Sequence, residues 1–136
     1  MPSSRPPQDT EALFSEILNA AYAVHTALGP GLLESAYAKC LKRELQLRGI
    51  SSEAEVSLPV EYRGEKVDCA YRLDLLVEGR IIVELKSVAE LHPLHVAQLM
   101  SYIRIAGHSS GLLINFNVKS LRDGIRRVYA LQKRKS

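Results

Sequence analysis

An aspartate, a glutamate and a lysine lie at a spacing that suits hydrolytic chemistry. Asp74 is followed by Glu84 ten positions later, and Lys86 lies two positions further on. Carboxylate oxygens are the ligands that hard divalent cations prefer, and magnesium usually takes one or two of them together with water. A neighbouring ammonium group can orient a metal-bound water or stabilise the charge that develops on a phosphate. The three residues therefore predict a metal-assisted hydrolytic site, provided that the fold brings them together.

The segment that carries these residues is predicted to be a β-hairpin. Its odd-numbered positions are apolar on both sides of a turn, namely Leu73, Leu75, Val77, Ile81, Val83 and Leu85. Side chains alternate between the two faces of a strand. The apolar rows of the two strands therefore face the same core only if the numbers of residues paired across the hairpin have an even sum. A three-residue loop over 77–79, with Gly79 in the left-handed conformation, gives such pairs. The two carboxylates and the lysine ammonium would then share the opposite face.

This shared face has two explanations. Two carboxylates on neighbouring strands repel each other, which favours a bound cation or a raised pKa for one of them. A hairpin that is exposed on one side also commonly carries acidic and basic residues that form cross-strand ion pairs without any catalytic role. The alternation pattern by itself is compatible with both a metal site and a solvated surface.

The rest of the sequence predicts the elements that would position this hairpin. Thr10 is the expected N-cap of a first helix that runs to Leu28, and the glycines and proline at 29–31 end it. Further along the chain, the pattern predicts helices over 32–48 and 93–106, and strands over 56–60, 67–77, 80–87, 111–116 and 125–130. The last segment also fits a helix, and a strand is preferred. This order of elements indicates an α/β domain.

Size and composition indicate a single soluble domain. The chain has 136 residues, 46% of them hydrophobic and 24% charged, and no apolar run approaches the roughly 20 residues of a membrane span. Residues 1–9 are polar and proline-rich and are expected to be disordered, residues 10–130 form the domain, and residues 131–136 form a basic tail. The start has no apolar signal-peptide core, and the two cysteines lack metal-ligand spacing. We therefore expect a cytoplasmic protein with reduced thiols and no membrane association.

The net charge of +3 is concentrated towards the C-terminus. The last eighteen residues contain Lys119, Arg122, Arg126, Arg127, Lys133, Arg134 and Lys135. Such a cluster suits contact with a phosphate backbone. From charge alone, a solvated tail that keeps the protein soluble is the preferred explanation.

Three motifs resemble those of a known protein family. Asp74 with Glu84-Leu85-Lys86 resembles the D-(x)n-E-x-K core of the PD-(D/E)XK nuclease superfamily. The stretch Gly31-Leu-Leu-Glu34-Ser-Ala-Tyr37 resembles the signature of the GxxExxY proteins. Gln98 and Tyr102 resemble the Q-x-x-x-Y helix motif that recurs in nuclease domains. The resemblance covers nearly the whole chain and leaves out the basic tail.

This resemblance implies a restriction-endonuclease-like fold, with a central mixed β-sheet flanked by helices and the acidic hairpin in its middle. It also implies a metal-dependent nuclease. Asp74 and Glu84 would bind Mg²⁺ or Mn²⁺, with the carbonyl of Leu85 as a third protein ligand. Lys86 would orient the attacking water. Glu34 would hold a second metal or a water in the shell of the first.

The same resemblance implies contacts with nucleic acid, and DNA is the expected substrate. Gln98 and Tyr102 would contact the metal shell or the substrate phosphate. Arg126 and Arg127 would add affinity for the phosphate backbone. A homodimer is one way in which so small a domain could hold a duplex.

Several of these residues also have structural explanations. A glutamate in the first turn of a helix, where Glu34 is expected, is stabilised by about 0.3–1 kcal/mol through the helix dipole. Tyr102 also fits a core residue with its hydroxyl at the rim, and Tyr37 is expected to pack against the hairpin. Structural roles are preferred for His25 and His95.

Two further functions belong to other classes. A nuclease-fold module could bind nucleic acid or a protein partner without cutting, keeping the basic surface and binding metal weakly. A regulatory subunit is a third hypothesis, for which the sequence offers no positive feature. The complete set of acidic, lysine and Q-x-x-x-Y residues favours the enzyme over both.

Overall fold

The computed structural model of the chain describes residues 9–130. The predicted disordered segment, apart from Asp9, and the predicted basic tail over 131–136 lie outside the described residues. Within them the helices are α1 (Thr10–Leu28), α2 (Glu34–Leu47) and α3 (Pro93–Ala106). The strands are β1 (Ser52–Ser57), β2 (Val60–Tyr62), β3 (Glu65–Val67), β4 (Arg72–Val77), β5 (Ile81–Lys86), β6 (Ser110–Asn115) and β7 (Ile125–Tyr129), and a short 3-10 helix (Leu121–Gly124) precedes β7. No helix in this part of the chain is long and apolar enough to cross a membrane.

One mixed sheet organises the domain, with its strands in the order β1-β4-β5-β6-β7. β5 is central, paired antiparallel with β4 and parallel with β6, and the remaining pairs are antiparallel. A parallel pair needs a crossover connection, which α3 provides between β5 and β6. The predicted central mixed sheet flanked by helices, with the acidic hairpin β4–β5 in its middle, is confirmed.

The central strands of the sheet are buried on both faces, and each face has its own hydrophobic core. On one face α1 and α2 pack against the sheet, where Ile17 lies in the same core as Val83. On the other face α3 packs against it, where Ile103 lies in the same core as Ile82. Strands covered on both faces carry continuous apolar runs in place of alternation. β6 is covered on both faces in this way, and all six of its residues are buried.

Two helices begin at different residues from those predicted. Asp9, and not Thr10, is the N-cap of α1, since its carboxylate accepts the Ala12 N–H at 2.8 Å. α2 begins at Glu34, two residues later than predicted, with Leu33 as its N-cap. Its first turn keeps the acidic residue that the helix dipole favours.

The strands in the middle of the chain are shorter and more numerous than predicted. The strand expected over 56–60 stops before Pro59, whose missing N–H suits the end of a strand. The strand expected over 67–77 is interrupted by a turn in which the Asp68 carboxylate accepts the Ala70 N–H at 2.8 Å. The short strands β2 and β3 instead form a separate exposed two-stranded ribbon.

The GxxExxY tyrosine closes the turn between α1 and α2. The Tyr37 hydroxyl donates to the Gly29 carbonyl at 2.5 Å and accepts the Leu32 N–H at 3.1 Å. Its ring stacks on Phe116, with centroids 4.5 Å apart, so its closest ring partner follows β6 and does not belong to the hairpin. Gly31 has a φ of 101°, which residues with a side chain rarely adopt, and so serves the turn as expected.

Replacing this tyrosine tests its role in the turn. Tyr37→Phe should lower the free energy of unfolding by about 1–3 kcal/mol, because two backbone groups lose their partner. Tyr22→Phe, on an exposed position of α1, should change it by less than about 0.5 kcal/mol. Urea unfolding measures both, and equal stability of the two variants would mean that the hydroxyl does not hold the turn.

Candidate active site

The turn of the acidic hairpin sets its register. Val77 lies opposite Ile81, so paired residue numbers have an even sum, as the apolar alternation predicts. The loop comprises 78–80, one residue later than predicted, and is closed by the Arg80 N–H donating to the Val77 carbonyl at 2.9 Å. Glu78 and Gly79 have φ values of 52° and 63°, so both adopt the left-handed conformation that was expected for the glycine alone.

The regular ladder of the hairpin ends just before Asp74. The last ladder pair between β4 and β5 is Leu75 opposite Val83. Leu75 packs in the core under α1 and α2, whereas Leu73 packs in the core under α3. The prediction that all odd positions face one core is therefore wrong for Leu73.

The neighbouring strand β1 is irregular at the same level. In β1, Ala54 and Val56 pair with β4 on either side of Asp74, but Glu55 between them has a φ of 52° and makes no ladder pair. The β1–β4 ladder therefore lacks one pair at this level, with the same register on either side of it. Asp74 consequently lies where the sheet is irregular on both of its sides.

Asp74 and Glu84 form an acidic pair, and their side chains replace the missing ladder bonds. The Asp74 N–H donates to Glu84 Oε1 at 3.1 Å, and the Leu85 N–H donates to Asp74 Oδ2 at 2.8 Å. Each carboxylate thus reaches across to the backbone of the other strand. This exchange holds the two groups against each other in a fixed orientation.

The environment of Glu84 makes its charge costly. The side chain lies in the central strand and is 6% exposed. Burial raises its pKa to about 9, helped by the negative charge of Asp74 and a hydrogen bond between the two carboxyl groups, while the Lys86 ammonium acts in the opposite direction. A cation between the carboxylates would offset both burial and repulsion, so this donor pair fits a divalent metal.

A third oxygen is available on the same side of β5. The Leu85 N–H donates to Asp74, and in an extended strand the N–H and C=O of one residue point the same way. The Leu85 carbonyl therefore faces β4, beyond the last ladder pair. Within residues 9–130 no group of three or more His, Cys, Asp or Glu side chains is close enough to hold a metal. The fit is thus to a hard cation that keeps several waters, as magnesium does.

Glu34 approaches this site from α2 without joining the pair. It is exposed, and it lines a groove of about 310 Å³ together with Asp74. The groove runs between α2 and the irregular part of β1 and is lined by Glu34, Ser35, Ala38, Lys39, Lys42, Ala54, Glu55 and Asp74. The structure thus places Glu34 and Asp74 in the lining of one groove.

The Q-x-x-x-Y residues lie on α3, on the opposite face of the sheet. Tyr102 is 8% exposed, and burial together with the nearby carboxylates of Glu84 and Asp74 raises its pKa. Its hydroxyl is therefore within electrostatic reach of the acidic pair. Gln98, one turn earlier, is exposed and has no side-chain hydrogen bond to the described residues.

The basic residues predicted to act at the site lie in two places. Lys86 ends β5, is half-buried and makes no ion pair within residues 9–130, so its ammonium is free to act beside Glu84. Arg126 and Arg127 lie on β7, at the edge of the sheet. The Arg127 guanidinium binds both Glu11 carboxylate oxygens, at 3.0 and 2.7 Å. Contact of Arg127 with nucleic acid would require that ion pair to open.

His25 and His95 both have the structural roles that were preferred for them. His25 Nε2 is hydrogen-bonded to the Val118 carbonyl at 2.8 Å, and His95 Nδ1 accepts the His92 N–H at 3.0 Å in the N-terminal cap of α3. Neither ring is directed at the acidic pair by these bonds.

Asn115 is a supporting residue that the sequence analysis missed. It is 1% exposed, its Oδ1 accepts the Val88 N–H at 3.1 Å, and its Nδ2 donates to the Val88 carbonyl at 2.9 Å. These bonds hold the segment that follows Lys86. A polar residue in the otherwise apolar run over 111–116 was the available signal.

Comparison with known proteins identifies the family. The family model of the PD-(D/E)XK nuclease superfamily matches residues 11–128, which is most of the chain. No curated protein and no solved structure matches it. The match includes both strands of the acidic hairpin, α2 and α3, and so every element that contributes to the site. The chain belongs to the PD-(D/E)XK nuclease superfamily.

Proposed function

We propose that this protein is a divalent-metal-dependent nuclease of the GxxExxY group that hydrolyses phosphodiester bonds of nucleic acid, with DNA as the preferred substrate. The observation that carries the proposal is the interlocked pair of Asp74 and Glu84. The Asp74 carboxylate accepts from the backbone beside Glu84, and Glu84 is buried with a pKa raised to about 9. A structural salt bridge would instead pair each carboxylate with a cation.

The residues around the pair have distinct roles in this proposal. Asp74, Glu84 and the Leu85 carbonyl would hold Mg²⁺ or Mn²⁺, which supplies Lewis-acid stabilisation of the phosphate and a more acidic water. Lys86 orients the attacking water and offsets the charge that develops on the phosphate. Glu34 holds a water, or a second metal, at the groove side of Asp74.

On the α3 side, Tyr102 and Gln98 contact the substrate phosphate or the water shell. Arg126 and Arg127 add affinity for the phosphate backbone at the edge of the sheet, the latter once it leaves Glu11. A homodimer would let two such small domains hold a duplex. Cys40 and Cys69 are free and exposed, which fits a reducing compartment such as the cytoplasm.

A second candidate is a module that binds nucleic acid or a protein without cutting. It is favoured by the absence of a third acidic side chain beside the pair within residues 9–130. Such a site would bind metal weakly, and cleavage would then be undetectable while binding persisted.

Cleavage assays separate the two candidates. Purified protein would be incubated with labelled DNA and RNA, single- and double-stranded, in magnesium, manganese or chelator. The nuclease proposal expects cutting of at least one substrate with metal and none with chelator. Binding without metal-dependent cutting of any substrate would support the module and overturn the nuclease.

Deletion of residues 131–136 tests whether the basic tail contacts phosphate. Removing Lys133, Arg134 and Lys135 should weaken binding alike for all sequences and reduce the slope of log affinity against log salt by up to about 2–3. Fluorescence anisotropy at several salt concentrations measures both quantities. An unchanged slope would assign the tail to solubility.

A further inference from the structure

An exposed tyrosine adjoins the acidic site on the α3 side. Tyr71 precedes Asp74 by three residues, and its ring centroid lies 5.7 Å from that of Tyr102 at an angle of 50°. Tyr71 is 41% exposed, whereas Tyr102 is 8% exposed. The ring of Tyr71 therefore has an aromatic partner on its inner side and solvent on its outer side.

The backbone around Tyr71 is held without help from its ring. The Asp68 carboxylate fixes the preceding turn by accepting the Ala70 N–H, and Ala70 has a φ of 59°. The Tyr71 carbonyl accepts the Leu58 N–H at 2.9 Å. These bonds survive substitution of the side chain, so the fold of the turn does not explain why an aromatic ring stands there.

The position of Tyr71 near Asp74 and Glu84 favours contact with an uncharged, flat part of the substrate. A phosphate that reaches Asp74 and Glu84 brings its neighbouring base within a few ångströms of the site's rim. Carboxylates repel the substrate's charge, whereas an aromatic face binds a base by stacking, whatever the base. A base inside a duplex is covered on both faces by its neighbours and cannot offer such a face unless it is unstacked.

We propose that Tyr71 stacks on an unpaired base next to the scissile phosphate, and that the substrate of this site is a single-stranded nucleic acid. The inference rests on the proposed nuclease function and adds the strandedness of the substrate. Other exposed tyrosines lie elsewhere: Tyr62 and Tyr129 have arginine guanidinium groups 5.7 Å from their rings, and Tyr22 lies on α1.

The test measures binding without cleavage, in a Glu84→Gln background. Probes are a single-stranded DNA oligonucleotide, its RNA counterpart and the DNA duplex. Tyr71→Ala should weaken single-strand binding by about 5- to 150-fold, which is the range for one stacked base, and Tyr71→Phe should retain it. Tyr22→Ala is the matched control, because Tyr22 is also 41% exposed, and it should bind like the parent. The slope of log affinity against log salt should be unchanged, since stacking releases no counterions.

An abasic position moved along the oligonucleotide identifies the stacked base. At one position, loss of the base should weaken binding by the Glu84→Gln parent, and Tyr71→Ala should remove that effect. Equal affinities of the Tyr71→Ala and Tyr22→Ala variants, or preference for the duplex, would overturn the inference and leave the nuclease proposal standing. Absence of binding to every probe, together with absence of cleavage by the wild type, would overturn both.

Discussion

Replacing Asp74, Glu84 or Lys86 with alanine is expected to lower the cleavage rate by roughly 100-fold or more for each variant. Loss of metal-held charge stabilisation costs several kcal/mol, and about 1.4 kcal/mol corresponds to a factor of ten in rate. Each carboxylate is held by a backbone N–H group of the opposite strand, and these N–H groups remain in the alanine variants, so the partner carboxylate keeps its hydrogen bond. Single-turnover cleavage of a labelled oligonucleotide in manganese measures the effect.

The matched control is Asp123→Ala, which removes an exposed carboxylate outside the site and should leave the rate unchanged. Thermal unfolding of each variant separates loss of chemistry from loss of fold. Equal cutting by the wild type and Asp74→Ala would point to a contaminating nuclease or to a different site. A normal rate for Lys86→Ala alone would withdraw the role of the lysine and leave the metal pair in place.

Glu84→Gln is expected to stabilise the metal-free protein at neutral and alkaline pH. The carboxyl has a pKa of about 9 in the folded chain and 4.5 as its ordinary value, so between these values the folded state retains a proton that the unfolded state releases. Stability therefore falls as the pH rises from about 4.5 through about 9. The neutral glutamine does not titrate, so its advantage should grow with pH and reach on the order of 1–3 kcal/mol at pH 7.

Urea unfolding in chelator at pH 5, 7 and 8.5 would measure this difference. With magnesium or manganese, the wild type should gain thermal stability, and the gain should increase with pH because the bound metal displaces the proton of Glu84. Glu84→Gln should gain little. A constant stability difference between the two proteins across this range would contradict a raised pKa for Glu84. An equal gain in thermal stability of the wild type and Glu84→Gln on addition of metal would mean that the metal binds elsewhere.

The sequence alone determined the features that repeat along the chain. The alternating apolar positions from 75 to 85 required an even register, and the observed pairing of Val77 with Ile81 follows it. The three helices, the two strands of the acidic hairpin and the last two strands followed from periodicity and from glycines and prolines at the turns. The meeting of Asp74 with Glu84 was predictable for the same reason, since register is a local property of a hairpin.

Only the tertiary structure decided where the pattern breaks. Leu73 lies in the opposite core from Leu75, at the level where Glu55, on a strand separated from it by the β2–β3 ribbon, adopts a positive φ beside Asp74. Arg127 was predicted as a phosphate contact, but its partner Glu11 lies 116 positions away in the chain. The ring of Tyr71 contacts that of Tyr102, which comes from a different element. Each of these depends on contacts between residues far apart in the chain, and local periodicity carries no information about such contacts.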